Sequence, residues 1–355
     1  MMTKPFEYIP KPPLNKGDTL EKGKYQIVSD TRNAGGFGRI YRAKVLRSSS
    51  HRRVGLEIAV KEFHVHEIDD AVQTRMSSLG LSVASRQELV GMLLSQFKVE
   101  SNVLYELSRQ QDCHIPQLYH RMKRDDGRFY YTMSFINGHT LTNVIKKEGP
   151  LDERTAIGYT AQVAKVLFKA HAWNLFHCDV SPNNIMIENG FAVLVDFGNA
   201  RGYNNLLFQN HSRLDSAYMG DGLWRDSDIQ ARYSEVYSDI MRDIIPGRIG
   251  TPGFSAPEDF MGLPQGDIFS LAATLYYMLT GSKPPGSVSA HSRQKAIDTL
   301  VGRGIGNTTI DAIMHAMQPQ LESCTSSARD FLLELPNDIV FDTLLNYNDH
   351  DYNRR

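Results

Sequence analysis

Hydrophobic and polar positions change their period several times along the chain. From Lys24 the stretch KYQIVSDTRNAGGFGRIYRAKV alternates on either side of a glycine cluster, the pattern of a β-hairpin. GLEIAVKEFHV, starting at Gly55, predicts a third strand. SRQELVGMLLSQFKVESNVLYEL then switches to helical spacing. Leu89, Met92, Leu93, Phe97 and Leu104 mark one face, and Ser85 with Glu88 makes a capping box. QLYHRMKRDDGRFYYTMSF predicts two strands around an Asp126–Gly127 turn. After NGHT the character changes. Ala156–Ala172 and Ile268–Leu279 predict helices, with short strands near 185–187 and 192–195. A strand-rich first part therefore joins a helix-rich second part, an α+β chain without internal repeats. Residues 1–21 carry four prolines and predict an extended lead-in.

Composition narrows the class. A chain of 355 residues can bury one large core or two small ones. A net charge of −1 gives no electrostatic reason to expect nucleic acid or an acidic membrane as partner. Cys113, Cys178 and Cys324 are odd in number and form no CxxC, which points to a reducing compartment. The first residues have no apolar signal core, and no run of about 18 apolar residues occurs. These features predict a cytoplasmic protein without an anchor of its own.

Candidate chemistry gathers in a few places. In NAGGFGRIY, glycines at 35, 36 and 38 would let backbone N–H groups approach phosphate oxygens, although a plain hairpin turn has the same composition. Lys61, in IAVKEF, is either a snorkelling strand lysine or the partner of a carboxylate such as Glu100. HCDVSPNNIM places Asp179 and Asn184 five apart on a loop, and Asp196 follows after a short strand. Two carboxylates and an amide oxygen suit Mg²⁺ better than zinc. Two other readings compete with this one. His177 and Cys178 could be a base and a thiol nucleophile, but neighbours on an extended loop point apart. The pairs at 113–114 and 177–178 could share a zinc, but their spacing fits no familiar ligand pattern.

Taken in order, the glycine-rich hairpin, the strand lysine, the helix glutamate, HxDxxxxN, DFGNA (Asp196 to Ala200) and GTPGFSAPE (Gly250 to Glu258) resemble the eukaryotic-like, Hanks-type serine/threonine protein kinases. The likeness covers about residues 20 to 335, and wording such as DVSPNN is closer to bacterial members. It implies a bilobal fold: a small antiparallel-sheet N-lobe with one main helix over 22–134, and a larger helical C-lobe over 135–335. An extra segment would lie at about 66–84, a long activation-segment insertion at about 202–249, and a tail at 336–355. GDIFSLAATLYYMLTGSKPP, with Asp267 at its start, resembles the central C-lobe helix.

The resemblance also assigns roles. Gly35, Gly36 and Gly38, with Phe37 at the tip, would cover the phosphates of ATP. Lys61 would hold the α- and β-phosphates and pair with Glu100. Asp179 would accept the proton of the substrate hydroxyl, and Asn184 and Asp196 would ligate Mg²⁺, with Mn²⁺ as an alternative. Ile40, Ala59 and Met186 would sandwich adenine. Met133 would be the gatekeeper, and Ser134, Phe135 and Ile136 the hinge. Thr251 would sit near Asp179. The implied substrate is a protein bearing Ser or Thr.

Several positions depart from the family pattern. Asn33 replaces its first glycine. Ser181 stands where the phosphate-contacting lysine is usual, still able to donate a hydrogen bond. Cys178 replaces the arginine before the catalytic Asp, and Cys324 the arginine that pairs with Glu258, with Arg329 one turn too late. Between Lys61 and Glu100 lie 38 residues, and between DFG and APE 57, both beyond the family norm. In the longer insertion Ile229, Tyr233, Val236, Tyr237, Ile240 and Ile244 recur at helical spacing after Ser227 and Asp228. That helix would pack back on the C-lobe, or act as a docking or autoinhibitory element over the substrate groove. Three functions fit: an active protein kinase, a pseudokinase scaffold that binds nucleotide, and a small-molecule kinase. The last class lacks an APE-type segment.

Overall fold

The computed structural model describes residues 9–34, 38–47, 54–64, 86–110, 114–201, 250–257, 260, 262–285 and 290–345. The stretches 66–84 and 202–249, with the predicted insert helix, lie outside them, as does Ser85 of the predicted capping box. The chain divides into two compact units. One draws on residues within Met1–Glu106 and Pro116–Ile136, the other within Leu107–Ile115, Asn137–Asn204 and Ile249–Arg355.

In the first unit, Thr19–Leu20 (β1), Tyr25–Ala34 (β2), Gly38–Val45 (β3), Glu57–Phe63 (β4), Leu118–Asp125 (β5) and Arg128–Ser134 (β6) form one antiparallel sheet in the order β1-β2-β3-β4-β6-β5. β1 thus draws part of the predicted lead-in into the sheet. Glu21 ties the two edges together. Its N–H donates to Asp125 at 2.7 Å, and its carboxylate accepts from Lys123 at 2.8 Å and Tyr130 at 3.1 Å. The sheet is therefore curled, and both of its faces are covered.

Register decides which side chains share a face. Ile40 lies opposite Lys61, Lys61 opposite Tyr131, and Ala59 opposite Met133. Because the strand period is two, Ile40, Ala59, Lys61, Phe63, Tyr131 and Met133 share one face. Arg86–Leu107 (α1) packs there. Leu93, Phe97 and Leu104 are buried, and the Phe97 ring lies 5.6 Å from Phe63 and 5.0 Å from Tyr131. The opposite face carries Tyr41, Ile58, Val60 and Tyr130, which form a core with Leu14, Leu20 and Ile27.

The second unit is mostly helical: Leu141–Glu148 (α2), Glu153–His171 (α3), Pro264–Thr280 (α4), Ala290–Gly302 (α5), Asn307–Ala316 (α6), Ala328–Glu334 (α7) and Asn337–Leu345 (α8). A small sheet of His139–Thr140 (β7), Ile185–Glu188 (β8) and Phe191–Leu194 (β9) accompanies them. α3 starts earlier than its apolar pattern predicts because the Asp152 side chain caps it, accepting from the Thr155 N–H at 2.9 Å. α4 starts earlier too, at Pro264, where the missing N–H breaks no helical bond. Left-handed Gly281 ends it. From Asp267 to Leu279 α4 is buried on nearly every side, so it forms the centre of this unit. Its hydroxyls bond inward, Ser270 and Thr274 donating to carbonyls four residues back at 2.9 Å. Asn189 and Gly190 both take positive φ and turn β8 into β9. A sheet with one main helix and a helical unit together make the α+β class that the sequence predicts.

Behind β3 and β4, Arg128 donates to Glu62 at 2.5 Å, with side chains 8% and 3% exposed. Breaking a buried pair strands the other charge. Arg128→Met should therefore cost about 3–5 kcal/mol in denaturant unfolding. Arg154→Met, which removes the exposed ion pair between α3 and Asp342, should cost less than about 1 kcal/mol. Equal losses would contradict this ranking.

Candidate active site

The first unit contributes a lysine–carboxylate pair. Lys61 Nζ lies 2.6 Å from Glu100 Oε1, with side chains 8% and 3% exposed. β4 presents Lys61 to the face that α1 covers, and Glu100 follows Leu93 and Phe97 along the same helical stripe. Each charge is tolerated in this apolar setting because the other neutralises it. A Cβ on Gly38 would meet Lys61 Cε and the Glu62 carbonyl at 3.3 Å, so glycine gives the lysine stem room. Ile40, Ala59 and Met133 flank Lys61 on this face through the strand register. Of the predicted hinge residues, Ser134 spends its N–H on the Gln117 carbonyl at 2.8 Å, and its hydroxyl accepts from the Gln117 N–H at 2.9 Å. Phe135 stacks under the Arg42 guanidinium at 4.8 Å, and Ile136 is buried. Gly35, Gly36 and Phe37 lie outside the described residues.

The second unit contributes a loop anchored on Asp267. This carboxylate, 1% exposed, accepts from the N–H groups of His177 and Cys178 at 2.8 Å each and contacts His171 Nε2 at 2.9 Å. Those bonds hold Cys178 at φ +61°, a left-handed conformation costly for a residue with a Cβ. The His177 ring packs edge-on to Phe197 at 4.7 Å. The loop is thus tied to α4 through Asp267 and to the DFG segment through Phe197.

Asp179 follows directly. Its carboxylate accepts from the Thr251 hydroxyl at 2.7 Å, from Asn184 Nδ2 at 2.9 Å and from Asn199 Nδ2 at 3.3 Å. Asn184 also donates to the Asp179 carbonyl at 2.9 Å. Ser181 Oγ is 3.0 Å from Thr251 Oγ1 and fully buried. The single Thr251 proton is committed to the carboxylate, so Ser181 is the donor in that contact and its hydroxyl is spent on Thr251. Burial raises the Asp179 pKa above the usual carboxylate value and the Asp196 charge adds to the rise, while Thr251, His177 and Asn184 oppose it. Asp196 itself sits at φ +63° and accepts from the Gly198 N–H at 3.3 Å. Met186 pairs with Val193 in the β8–β9 hairpin.

The donor chemistry fits a hard cation. Asn184 uses its amide nitrogen on Asp179, which leaves its carbonyl oxygen, and Asp196 supplies a carboxylate. Two protein oxygens suffice for Mg²⁺, which keeps several waters and takes phosphate oxygens as further ligands. Cys113 of the zinc alternative lies outside the described residues, and among those described no group of three or more His, Cys, Asp or Glu side chains is arranged to hold a metal ion, so a zinc cage finds no support among them. A Cys178 nucleophile has none either, because burial and the Asp267 charge push its thiol up to about 12. Cys324 is buried and donates to the Leu321 carbonyl, Arg329 is exposed, and Glu258 lies outside the described residues. Motif reading does not single out Asn199 or His171. Only the adjacency of Asn199 to DFG hints at its contact with Asp179.

This fold is that of a protein kinase. The family model for the protein kinase domain matches residues 34–338, and the chain belongs to that family. It is similar to serine/threonine-protein kinase PknA of Nostoc sp. (strain PCC 7120 / SAG 25.82 / UTEX 2576), 24% identical over 271 residues, covering 75% of this chain and 39% of the relative. It is also similar to serine/threonine-protein kinase PknE of Mycobacterium tuberculosis (strain ATCC 25618 / H37Rv), 28% identical over 224 residues, covering 62% and 33%. The chain thus spans under two fifths of the length of these relatives. Among solved structures, Rad53 1–466 in complex with AMP-PNP shares the fold, with a TM-score of 0.54 and 17% identity over 87% of this chain and 64% of that one. No helix among the described residues is long and apolar enough to cross a membrane.

Asp267→Asn keeps the side-chain volume but turns one acceptor into a donor facing N–H groups. Hydrogen bonds to a charged acceptor are worth about 1.5–3 kcal/mol each, so amide exchange at His177 and Cys178 should quicken at least about tenfold. Unchanged protection would mean that something other than Asp267 holds the loop.

Proposed function

We propose that the chain is an active serine/threonine protein kinase, transferring the γ-phosphate of Mg²⁺-bound ATP to Ser or Thr hydroxyls of protein substrates. The observation that carries this reading is the Thr251 hydroxyl donating to Asp179 at 2.7 Å. A Ser/Thr-type segment already places a hydroxyl on the carboxylate that would receive a substrate's proton. Lys61, its charge fixed by Glu100, would hold the α- and β-phosphates. Asp179 would orient the substrate hydroxyl and take its proton as the oxygen bonds to the γ-phosphorus and ADP leaves with the electrons of the broken bond. Asn184 and Asp196 would hold Mg²⁺, which neutralises phosphate charge when bound. Such catalysis is mostly positioning and charge stabilisation, which a loop anchored by buried bonds can supply. Gly38, Ile40, Ala59, Met133 and Met186 would line the nucleotide, and a substrate protein is the implied partner.

Ser181 favours a second reading, nucleotide binding without efficient transfer. A neutral hydroxyl committed to Thr251 replaces the lysine that would stabilise the transferring phosphoryl group. Incubation with Mg²⁺, γ-labelled ATP and a generic Ser/Thr substrate, followed by phosphoamino-acid analysis, separates the two. Phosphoserine or phosphothreonine is expected; nucleotide binding without incorporation would establish the pseudokinase. Asp179→Asn should fold normally and lose about 10²- to 10⁴-fold in transfer rate. A rate within threefold of the parent would show that Asp179 is not the base. Asp196→Ala should weaken Mg²⁺-dependent ATP binding while adenosine binding persists, and equal Mg·ATP affinity would remove Asp196 from the metal site.

A further inference from the structure

The chain before β1 is bound to the sheet by its main chain. Arg39 Nη1 donates to the Lys11 carbonyl at 2.9 Å, and Arg128 Nη1 to the Pro12 carbonyl at 2.9 Å. The Leu14 N–H donates to the Tyr41 hydroxyl at 3.1 Å, and that hydroxyl donates to Glu62 at 2.7 Å. Arg39 also contacts His64 Nε2 at 2.7 Å. These side chains are buried: Arg39 is 9% exposed, Arg128 8%, Glu62 2% and Tyr41 0%. The Leu14 side chain completes the core on the same face.

Each anchoring residue alternates with a residue of the Lys61 face. Arg39 lies between Gly38 and Ile40, and Glu62 follows Lys61. Arg39 pairs with Glu62 in the strand register, while Gly38 pairs with Phe63 and Ile40 with Lys61. Two guanidinium groups recognising backbone carbonyls select for the presence of the segment rather than for its side chains. If it left, buried donors would lose acceptors, each costing about 1–3 kcal/mol, and β3 and β4 would lose their support from behind.

We propose that Lys11–Leu14 is a strap that positions the nucleotide-binding face of the sheet, with Arg39, Tyr41, Glu62 and Arg128 as positioning residues for Gly38, Ile40 and Lys61. The proposal rests on the reading of this face as an ATP site. Burial and the Glu62 carboxylate push the Tyr41 phenol up to about 12, so the hydroxyl stays protonated and the relay from Leu14 to Glu62 stays intact.

The test uses the full chain. Leu14→Asp expels the strap by placing a charge in the core, and Tyr41→Phe removes only the hydroxyl. The affinity for Mg·AMP-PNP and the KM for ATP are compared with the KM for a protein substrate, at a temperature where circular dichroism shows folded protein. Misplacement of the lysine and hairpin should weaken nucleotide binding about tenfold in Leu14→Asp, with the protein-substrate KM within twofold of the parent. Tyr41→Phe should move nucleotide affinity the same way by a smaller factor. The double variant should be no weaker than Leu14→Asp alone, because both act through one network. Lower thermal stability with nucleotide affinity within twofold of the parent in both variants would overturn the proposal and leave the strap a purely structural element. If Leu14→Asp does not fold, Tyr41→Phe decides by the same criterion. A parent that binds no nucleotide would overturn the ATP reading and this proposal with it; a parent that binds while both variants bind equally well overturns this proposal alone.

Discussion

A single buried carboxylate organises the loop that carries Asp179. Asp267 opens the fully buried part of α4 and accepts from consecutive backbone N–H groups and from a histidine. Such a group is stable only when its hydrogen bonds are satisfied, and here the satisfied state fixes the loop. The loop must bend sharply between His177 and Asp179, and the left-handed φ at Cys178 is the mark of that bend. Asp179 emerges from it in contact with Asn184, Asn199 and Thr251. An ordinary surface loop has too little contact to hold four polar side chains in one arrangement.

The sheet of the first unit solves a related problem by using both of its faces. One face carries Lys61 against Glu100, and the other carries Glu62 against Arg128 and Tyr41. Consecutive residues of one strand thus enter two buried ion pairs on opposite sides. That is possible because Glu21 draws the edges together and the N-terminal segment covers the second face. Positional precision at Lys61 then comes from both sides of the strand.

Much of this was legible in the sequence, for identifiable reasons. Period-2 and helical patterns located β2 to β6, α1, α3 and α4. HCDVSPNN carried Asp179 and Asn184 because polar residues next to apolar runs have few structural excuses, while DFGNA and GTPGFSAPE, and with them the place of Thr251, were legible only through the kinase resemblance. The Arg39–Glu62–Arg128 network was not legible. In a strand, charges that alternate with apolar residues read as a solvated face, and only the closure of the sheet buries them. Residues 11–14 read as a lead-in because prolines carry no periodic signal, while their bonds run through the main chain. The hold of Asp267 on the loop was equally hidden, because its partners are backbone N–H groups about ninety residues away in sequence.

In the proposed kinase the loop from Asp179 to Asn184 and the carboxylate of Asp196 form a metal and phosphate site whose geometry is set before substrate arrives. A crystal structure with Mg²⁺ and AMP-PNP tests it most directly. Metal density bonded to Asn184 Oδ1 and an Asp196 oxygen is expected, with Lys61 on the α- and β-phosphates and Asp179 facing the γ-phosphorus. The Asp267 bonds to His177 and Cys178 should be unchanged. Nucleotide bound without metal at those oxygens, or a loop from His177 to Asn184 that rearranges to receive it, would show that the site is not preformed.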